Sequence, residues 1–338
     1  MKFLIIRFSS IGDIVLTTPV VRCLKKQLEG AEVHYLTKNS FRAITDFNPY
    51  IDKIFYLKEQ LSPVIERLQR ENYDYVIDLH HNFRSLKVKK ALGKPSFSFN
   101  KLNKEKWVYT NFKWNNMPDM HIVDRYMETI SSFGVRNDRA GLDYFIPEKD
   151  KVKESDIPAS HHAGYIALVI GAAHNTKKMP LHKLKQLCTL IDHPIILLGG
   201  KDDLEEGKRI ASTDPHKIYN GSGKFNINES ADLVRRAKLV ITHDTGLMHI
   251  AAAFKKPVIS IWGNTVSGFG MYPYYPGAAT LLRGADNLPF DIIEINNLPC
   301  RPCSKIGHDK CPLGHLNCME LISVESIIKH VEKRLGRA

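Results

Sequence analysis

The sequence predicts an α/β protein built from two doubly wound parallel sheets. Short apolar runs alternate with amphipathic helical patterns along the whole chain, which is typical of parallel strands covered by helices. The chain has 338 residues, more than one domain usually holds, and the alternation restarts after a segment rich in charge, Pro and Gly at 134–160. We therefore expect two Rossmann-like domains, 1–155 and 156–338, facing each other across a cleft. The prediction leaves open whether the C-terminal helix packs back on the first domain.

Each domain contributes five predicted strands, which are short aliphatic runs bounded by turn residues. They cover 2–8, 32–37, 53–56, 75–79 and 96–99 in the first domain, and 165–170, 194–198, 217–219, 239–242 and 258–262 in the second. Helices are predicted at 12–28, 41–47, 62–70, 84–92 and 121–133, and at 181–191, 202–212, 229–237, 246–254 and 324–335. Because ligands of such sheets bind at the carboxyl ends of the strands, the turns that follow the strands are the candidate sites.

The composition indicates a globular protein with an acidic partner. Hydrophobic residues make up 43% of the chain and charged residues 25%, which is ordinary for a globular protein. No apolar run reaches the roughly 20 residues of a membrane-spanning helix. Arg7 and Asp13 interrupt the N-terminal run too early for a signal peptide, so we expect a cytoplasmic protein. The net charge of +12 predicts contact with nucleic acid, an anionic membrane surface or a phosphorylated substrate.

Lysines are concentrated between 87 and 113, with aromatic residues among them. The lysines are Lys87, Lys89, Lys90, Lys94, Lys101, Lys104, Lys106 and Lys113, and the aromatic residues are Trp107, Tyr109, Phe112 and Trp114. A solvated basic loop would have the same composition. We favour contact with an anionic glycolipid or with membrane headgroups. Nucleic acid is disfavoured because no nucleic-acid-binding module is recognisable in the chain.

A buried strand ends at Asp244, Thr245 and Gly246 and leads directly into a helix. The free N–H groups at the start of that helix suit an anion, most often a phosphate. Asp244 or Thr245 can cap the helix, and Gly246 allows a ligand to approach the backbone closely. An ordinary capped helix is the alternative interpretation of this turn.

Two further turns carry charged residues next to a helix start. Asp13 follows the first strand in a turn without the G-x-G-x-x-G spacing, which disfavours a dehydrogenase-type dinucleotide site. Asp13 is either the acid of a helix cap or a general base at the edge of the sheet. Lys177 and Lys178 precede a helix that begins near Pro180, where two cations are unfavourable by a few tenths to ~1 kcal/mol. We therefore expect at least one of these lysines to bind a phosphate.

Two more turns of the second domain add polar groups at the same edge. In one turn, Asp202 and Asp203 offer carboxylates that can accept bonds from ribose hydroxyls or cap a helix. In the other, the segment 220–225 brings a glycine-rich backbone and the ring of Phe225. Four such turns in one domain predict a nucleotide site more strongly than any of them alone.

The chain resembles glycosyltransferase family 9 in four segments that occur in the order of the family: FSSIGDIVLTTPVVRCL, DLHHNFRS, the Lys-x-x-Pro of 177–180, and HDTGLMHIAAAFKKPVISIWG. The members of this family are bacterial ADP-heptose:lipopolysaccharide heptosyltransferases with the GT-B fold. The resemblance implies an inverting transfer of heptose from ADP-heptose to the lipopolysaccharide inner core, without a metal or other cofactor. It implies an N-terminal acceptor-binding domain and a C-terminal nucleotide-sugar-binding domain. We expect a monomer in peripheral contact with the cytoplasmic face of the inner membrane, with an anionic glycolipid as acceptor and no nucleic-acid partner.

The resemblance also assigns roles to residues. Asp13 is the general base that deprotonates an acceptor hydroxyl, and that oxygen displaces ADP from the anomeric carbon. The implied donor-binding residues are Lys177, Asp244, Thr245, Gly246 and His249. We expect the nucleoside at Gly200, Asp202 and Phe225, and the acceptor at Ser10, Gly12, His80, His81, Asn82, Arg84 and Lys87. His249 is otherwise a core histidine, but its spacing from Gly246 places both on one helix face.

Four cysteines near the C-terminus and the identity of the sugar leave alternatives open. Cys300, Cys303, Cys311 and Cys318 have a spacing that can bind a structural zinc ion. Reduced cysteines in an irregular loop are the alternative, and disulfides are disfavoured in the cytoplasm. For the function, the alternatives are a GT-B transferase or epimerase that uses another nucleotide sugar, and a non-catalytic nucleotide- or nucleic-acid-binding protein.

Overall fold

The computed structural model describes residues 1–277 and 288–336. They form two compact α/β units. The first unit contains Met1–Lys101 and Met120–Phe145, together with Pro276 and Gly277. The second unit contains Leu102–Asp119, Ile146–Tyr275 and residues 288–336. The segment that carries the aromatic residues between 107 and 114 thus belongs to the second unit, although it precedes part of the first in the sequence.

The first unit is a parallel sheet with the strand order β3-β2-β1-β4-β5. Its strands are β1 (Lys2–Ile6), β2 (Glu32–Lys38), β3 (Lys53–Leu57), β4 (Tyr75–Asp78) and β5 (Ser96–Ser98). Its described helices are α1 (Ile11–Val15), α2 (Thr18–Gln27), α3 (Arg42–Thr45), α4 (Ser62–Gln69), α5 (Phe83–Leu92) and α7 (Ile122–Glu128). Helix α6 (Asn103–Phe112), which comes between α5 and α7 in the sequence, belongs to the second unit. The predicted helix 12–28 is two helices, because Pro19 lacks an N–H group and fits only the first turn of α2.

The second unit is a parallel sheet with the strand order β11-β10-β9-β6-β7-β8. Its strands are β6 (Ile166–Val169), β7 (Ile195–Leu198), β8 (Ile218–Asn220), β9 (Leu239–His243), β10 (Val258–Trp262) and β11 (Phe290–Glu294). Its other described helices are α8 (Leu181–Leu190), α9 (Leu204–Ala211), α10 (Ile227–Arg236), α11 (Gly246–Ala253), α12 (Asn317–Glu320) and α13 (Val324–Arg334). Both sheets are doubly wound, which confirms the predicted α/β class.

Three described elements of the second unit do not appear in the prediction: β11, α6 and the four-residue helix α12. Within the described part of the chain, edge strand β11 pairs with β10 alone, and Asp291 and Glu294 interrupt its apolar run. Helix α6 has no buried residue among its ten, so it carries no apolar stripe. Hydrophobic periodicity appears in a sequence where one face of an element is buried. Helix α6 has no buried face, and β11 is an edge strand with an interrupted apolar run, so neither shows such a periodicity.

The C-terminal helix α13 packs in the second unit. Ile327 and Val331 are buried in the same core as Leu184 of α8. The amide of Gln186 donates to Glu325 over 3.1 Å, which ties the two helices together at their surface. No helix in the described residues 1–277 and 288–336 is long and apolar enough to span a membrane.

In each sheet the direction of winding reverses between two central strands. The reversal lies between β1 and β4 in the first unit and between β6 and β9 in the second. At such a point the loops after the two strands diverge to opposite faces of the sheet and leave a crevice at its carboxyl edge. Asp13 and His80 follow the first pair of strands, and Lys177 and Asp244 follow the second pair. The topology therefore places the predicted site residues at the two reversal points.

Candidate active site

Asp13 lies in the first turn of α1, where its carboxylate is held on both oxygens. Oδ2 accepts hydrogen bonds from the Ser10 amide over 3.1 Å and from the Ser10 hydroxyl over 2.8 Å. Oδ1 lies 2.6 Å from Nη2 of Arg7, and the Asp13 side chain is 19% exposed. The carboxylate therefore completes the capping box of α1 and still reaches the surface of the first unit.

Arg7, just beyond the end of β1, fixes the orientation of Asp13. Besides the ion pair, its Nη1 donates to the Leu79 carbonyl over 2.5 Å and to the Tyr126 hydroxyl over 2.9 Å, and its Nε donates to the Ser9 carbonyl over 2.7 Å. Arg7 is only 7% exposed, so turning it away would leave several buried acceptors unsatisfied. The sequence analysis did not identify Arg7 as a site residue. A charged residue at the end of an otherwise apolar central strand was the available signal.

The pKa of Asp13 reflects this environment. Burial works to raise it, but the Arg7 guanidinium and the Ser10 hydrogen bonds hold the pKa of Asp13 below its ordinary value of 3.8. The carboxylate is therefore ionised at neutral pH and ready to accept a proton. Because its intrinsic basicity is low, any role as a general base must depend on its position next to the reacting hydroxyl.

His80 lies near this ion pair as a neutral side chain. Burial, followed by the charges of Arg7 and Lys101, lowers its pKa to about 4. Its ring packs edge-on against Phe8 at 5.1 Å between centroids. Its buried Nδ1 has no hydrogen-bond partner among the residues that the structure describes. His80 can therefore exchange a hydrogen bond with a neutral group of a ligand.

The other predicted acceptor residues divide into two groups. Ser10 holds Asp13, Gly12 is buried inside α1, and Asn82 caps α5 by accepting the Ser85 amide over 3.0 Å. His81 is exposed, and its Nδ1 lies 3.1 Å from the Phe99 carbonyl.

Arg84 and Lys87 form the second group. They are exposed one turn apart on α5, and neither forms an ion pair or side-chain hydrogen bond with any described residue. Of the predicted acceptor residues, these two offer positive charge to an anionic ligand.

Lys177 and Asp244, which follow β6 and β9, meet at the reversal point of the second sheet. The Lys177 ammonium lies 2.6 Å from Oδ2 of Asp244, and the two side chains are 14% and 13% exposed. The same carboxylate oxygen accepts a hydrogen bond from the Thr265 hydroxyl over 3.1 Å. Two motifs that the sequence identifies separately thus form one charged site, joined by a threonine that the sequence analysis did not identify.

The start of α11 is open beside this pair. Asp244 is bound to Lys177, and the Thr245 hydroxyl lies 3.2 Å from that of Thr242. No described side chain caps the helix, and residues 244–246 are partly exposed. The first N–H groups of α11 therefore remain available to an anion. His249, one turn along, is only 2% exposed and lies within the unit.

His243 fixes the position of the Lys177 turn. Its Nε2 accepts the Met179 amide over 2.9 Å, which joins the end of β9 to the turn after β6. Burial, followed by the charge of Lys178, lowers the pKa of His243 to about 4. The imidazole is therefore neutral, as an acceptor at Nε2 must be. The histidine of the HDTG motif thus serves to position the neighbouring turn.

Lys178, like Lys177, is paired with a carboxylate, but its partner is Asp203 in the next turn. Its ammonium lies 2.5 Å from Asp203, which is 6% exposed and also accepts the Gly200 amide over 2.8 Å. A Cβ on Gly199 would come within 2.8 Å of Asp203, so the carboxylate fills the space that this glycine leaves. Asp203 is therefore structural, whereas Asp202 is exposed.

The two turns expected to hold the nucleoside are hydrogen-bonded to each other. The Gly223 amide donates to the Gly199 carbonyl over 3.0 Å. The partly exposed ring of Phe225 lies against Gly221, where a Cβ would come within 3.1 Å of it. The structure thus brings Gly200, Asp202 and Phe225 to one edge of the second sheet, where the ring can stack on a base.

A cavity of about 520 Å³ lies beyond the ends of β10 and β11. It is lined by Tyr109, Lys113, Asn115, Val266, Ser267, Gly268, Glu294, Ile295, Asn296, Asn297, Leu298, Pro299 and Arg301. Arg301 donates to Glu294 over 2.5 Å and to the Thr265 carbonyl over 2.7 Å, which links the cavity wall to the Lys177–Asp244 pair. Glu294 and Arg301 neutralise each other, and the Lys113 ammonium leaves the polar lining with one positive charge.

A structural zinc ion at the four C-terminal cysteines is one of the two interpretations that the sequence leaves open, and the distances between candidate ligand atoms bear on it. Among the described residues, Glu32, His34 and Glu71 form the only group with three candidate ligand atoms mutually within 4.8 Å. Lys2 and Lys53 form ion pairs with these two carboxylates, so this group is an ion-pair network.

The cysteines at the C-terminal end form no such group within the part of the chain that the structure describes. All four are free, and burial raises the pKa of Cys318 to about 12. Their segment does support the site, because the Thr176 hydroxyl donates to the His308 carbonyl over 2.8 Å, next to Lys177.

Known proteins resemble this chain in sequence and fold. Residues 62–286 match the model of glycosyltransferase family 9 (heptosyltransferase). Lipopolysaccharide heptosyltransferase 1 of Campylobacter coli is 28% identical, over 79% of this chain and 85% of its own. The glycosyltransferase family 9 structure from Veillonella parvula has a TM-score of 0.77 at 21% identity, covering 100% of this chain and 98% of that one. The E. coli heptosyltransferase WaaC with ADP has a TM-score of 0.69 at 20% identity, covering 99% and 100%.

These similarities confirm the predicted fold and family. The shared architecture is GT-B, with two parallel α/β sheets. The family match spans well over half of the chain and includes Lys177 and the Asp-Thr-Gly turn. The chain therefore belongs to glycosyltransferase family 9, the heptosyltransferase family, and is a transferase.

Proposed function

We propose that this protein transfers a heptosyl group from ADP-heptose to the inner core of lipopolysaccharide, with inversion at the anomeric carbon. The observation that carries the proposal is the Lys177–Asp244 pair, 2.6 Å apart, beside the uncapped start of α11. Membership of family 9, the similarity to lipopolysaccharide heptosyltransferase 1 and the fold shared with an ADP-bound heptosyltransferase support the same donor and acceptor.

The second unit binds the donor in this proposal. The diphosphate of ADP lies at the first N–H groups of α11, at Thr245 and Gly246, where the helix dipole favours negative charge. Lys177 then shares its ammonium between Asp244 and a phosphate oxygen. The adenine stacks on Phe225, and Asp202 accepts hydrogen bonds from the ribose hydroxyls near Gly200.

The first unit binds the acceptor and supplies the base. Asp13 takes the proton from an acceptor hydroxyl as that oxygen forms its bond to the anomeric carbon. The bond from that carbon to the diphosphate oxygen breaks in the same displacement, and ADP leaves with its electron pair. Arg84 and Lys87 bind anionic groups of the acceptor, and the neutral His80 bonds one of its hydroxyls.

No divalent metal is needed in this scheme, because protein groups supply the positive charge for the leaving ADP. Lys177 and the N-terminus of α11 stabilise the developing negative charge at a site that is mostly shielded from water. Transfer should therefore persist in excess EDTA at an unchanged rate. Loss of transfer in EDTA that is restored by one added divalent ion would contradict this part of the proposal.

The decisive experiment combines donor selection with the Asp13→Ala variant. Wild-type protein should transfer from ADP-heptose and bind ADP in calorimetry, whereas UDP- and GDP-sugars should be poor donors. Asp13→Ala should abolish transfer and leave ADP affinity unchanged, because among the described residues Asp13 bonds only Ser10 and Arg7 of the first unit. If the variant lost ADP binding as well, the assignment of Asp13 as base would be wrong. If no ADP-sugar bound to wild type, the donor assignment would fail.

A further inference from the structure

We propose that one face of α6, with the loop beside it, docks this protein onto an anionic phospholipid surface. The proposal rests on the proposed function only in that a lipopolysaccharide acceptor is itself a membrane lipid. It concerns a surface of the second unit that takes no part in binding the donor or in the chemistry. We call it the docking surface and define its residues below.

The core of the docking surface is a cluster of three exposed aromatic side chains. Trp107, Phe112 and Trp114 are 56%, 53% and 67% exposed. Their rings touch in sequence, with centroids 5.5 Å apart for Trp107 and Phe112 and 5.7 Å apart for Phe112 and Trp114. Three large aromatic side chains in mutual contact at the surface are unusual in the absence of a binding partner.

The opposite face of α6 is anchored, so the cluster is presented on a firm support. The ring of Tyr109 packs edge-on against Phe269 at 5.9 Å between centroids, and the Lys106 ammonium lies 5.7 Å from the same ring. The Lys113 ammonium donates to the Pro302 carbonyl over 2.7 Å. The helix therefore contacts its own unit through one side, and the exposed rings extend from the other.

The loop that begins at Pro302, beside Lys113, adds further side chains of the same kinds. Ile306 and Leu313 are 58% and 64% exposed, and Lys305 and Lys310 are exposed on the same loop. Lys104 is exposed on α6 itself. We define the docking surface as Trp107, Phe112, Trp114, Ile306 and Leu313 with Lys104, Lys305 and Lys310, and the loop also carries the exposed Asp309.

This composition fits a lipid headgroup region better than a protein partner. Tryptophan favours the boundary between water and acyl chains, and lysines near it are attracted to anionic headgroups. The core of a protein interface, in contrast, is depleted of lysine. The chain as a whole carries a net charge of +12, which adds a general attraction to an anionic bilayer. Charge complementarity and the aromatic cluster thus point to the same occupant.

Tryptophan fluorescence tests the proposal directly, because the chain has 3 tryptophans. Trp107 and Trp114 belong to the docking surface, whereas Trp262 is 1% exposed. With vesicles of equal parts phosphatidylglycerol and phosphatidylcholine, wild-type emission should shift to the blue, and brominated phosphatidylglycerol should quench it. With Trp107→Phe and Trp114→Phe combined, only Trp262 remains, and brominated lipid should no longer quench. Quenching that persists in this variant, or is absent in wild type, would overturn the proposal.

Flotation with the same vesicles tests binding itself. The triple variant Trp107→Ser, Phe112→Ser and Trp114→Ser should bind vesicles at least roughly tenfold more weakly than wild type, because the apolar contribution of all three rings is lost. The matched control carries Leu190→Ser and Leu321→Ser, which remove exposed apolar side chains elsewhere on the second unit. Equal vesicle binding by the triple variant and wild type would refute the docking surface. If wild type self-associated through these rings and never floated with vesicles, the surface would bind a second copy of the chain, and the proposal would also be refuted.

Transfer assays with two forms of the acceptor separate this proposal from the proposed function. The triple variant should lose rate on acceptor embedded in vesicles and keep wild-type kcat/KM on a deacylated, water-soluble acceptor. Failure of wild type on both acceptors, with vesicle binding intact, would contradict the proposed function alone. Equal rates of variant and wild type on the embedded acceptor would contradict the docking surface alone.

Discussion

Replacing Arg7 by Met should make the enzyme lose transfer activity at a higher pH when the solution is acidified. In wild type the Arg7 guanidinium holds the pKa of Asp13 below 3.8, so Asp13 stays ionised across the whole range near neutrality. Without Arg7, burial becomes the dominant influence on the carboxylate and raises its pKa. The base would then be protonated at a pH where wild type is still fully active.

The distance between Arg7 and Asp13 sets how strongly their charges interact. Nη2 of Arg7 lies 2.6 Å from Oδ1 of Asp13. The charge centres of the two groups are then roughly 4 Å apart and interact by about 4 kcal/mol at an effective dielectric constant of about 20. The Asp13 side chain is 19% exposed and keeps its Ser10 hydrogen bonds, so part of this effect is screened. We therefore expect the pKa of Asp13 to rise in the variant, because the charge of Arg7 is lost while burial of the carboxylate remains.

The measurement is kcat/KM for transfer between pH 4 and 9. The acid limb that reports protonation of Asp13 should lie at a higher pH in Arg7→Met than in wild type. The change also removes one partner of a buried pair and costs about 3–5 kcal/mol of stability, so each variant is assayed below its Tm.

Arg22→Met provides the matched control. Arg22 is also buried in the first unit, and it pairs with Asp138 and Asp143 without contacting Asp13. This variant should be destabilised by a similar amount and keep the wild-type pH profile. An acid limb that moves equally in both variants, or in neither, would refute the role assigned to Arg7.

Three further predictions concern the second unit. Lys177→Met should weaken ADP binding about 10- to 100-fold in calorimetry, because a charge-assisted bond to phosphate is lost. The control Lys183→Met should leave the affinity for ADP unchanged. Equal affinities of Lys177→Met and wild type for ADP would contradict the phosphate role. Gly199→Ala should lower the free energy of unfolding by about 1–3 kcal/mol in urea, because its Cβ would lie 2.8 Å from Asp203. His243→Phe should cost about 1–3 kcal/mol and also raise the Kd for ADP, since the buried amide at the Lys177 turn loses its acceptor. An unchanged Kd in that folded variant would show that the turn holds its position without the histidine.

The predictable part of the fold is the part that burial imprints on local sequence. Strands such as β6 and β9 are buried on both faces, so they appear as continuous apolar runs with turn residues at their ends. All ten predicted strands are present, with bounds that differ by one or two residues at most. In contrast, α6 contains no buried residue and β11 lies at a sheet edge, so neither left a periodic pattern.

The sequence by itself determined the fold class, the family and the turns at which the site residues lie. It could not determine which side chains pair, because partners such as Lys177 and Asp244 lie 67 residues apart in the chain. Lys177 and Lys178 are adjacent and chemically identical, yet one faces Asp244 beside an open helix start and the other faces the buried Asp203. Lys177 ends a 3₁₀ turn and Lys178 is extended, and only the packing around them decides which group each side chain contacts. The tertiary structure therefore decided that Lys177 lies beside the open start of α11, whereas Lys178 is bound to the buried Asp203.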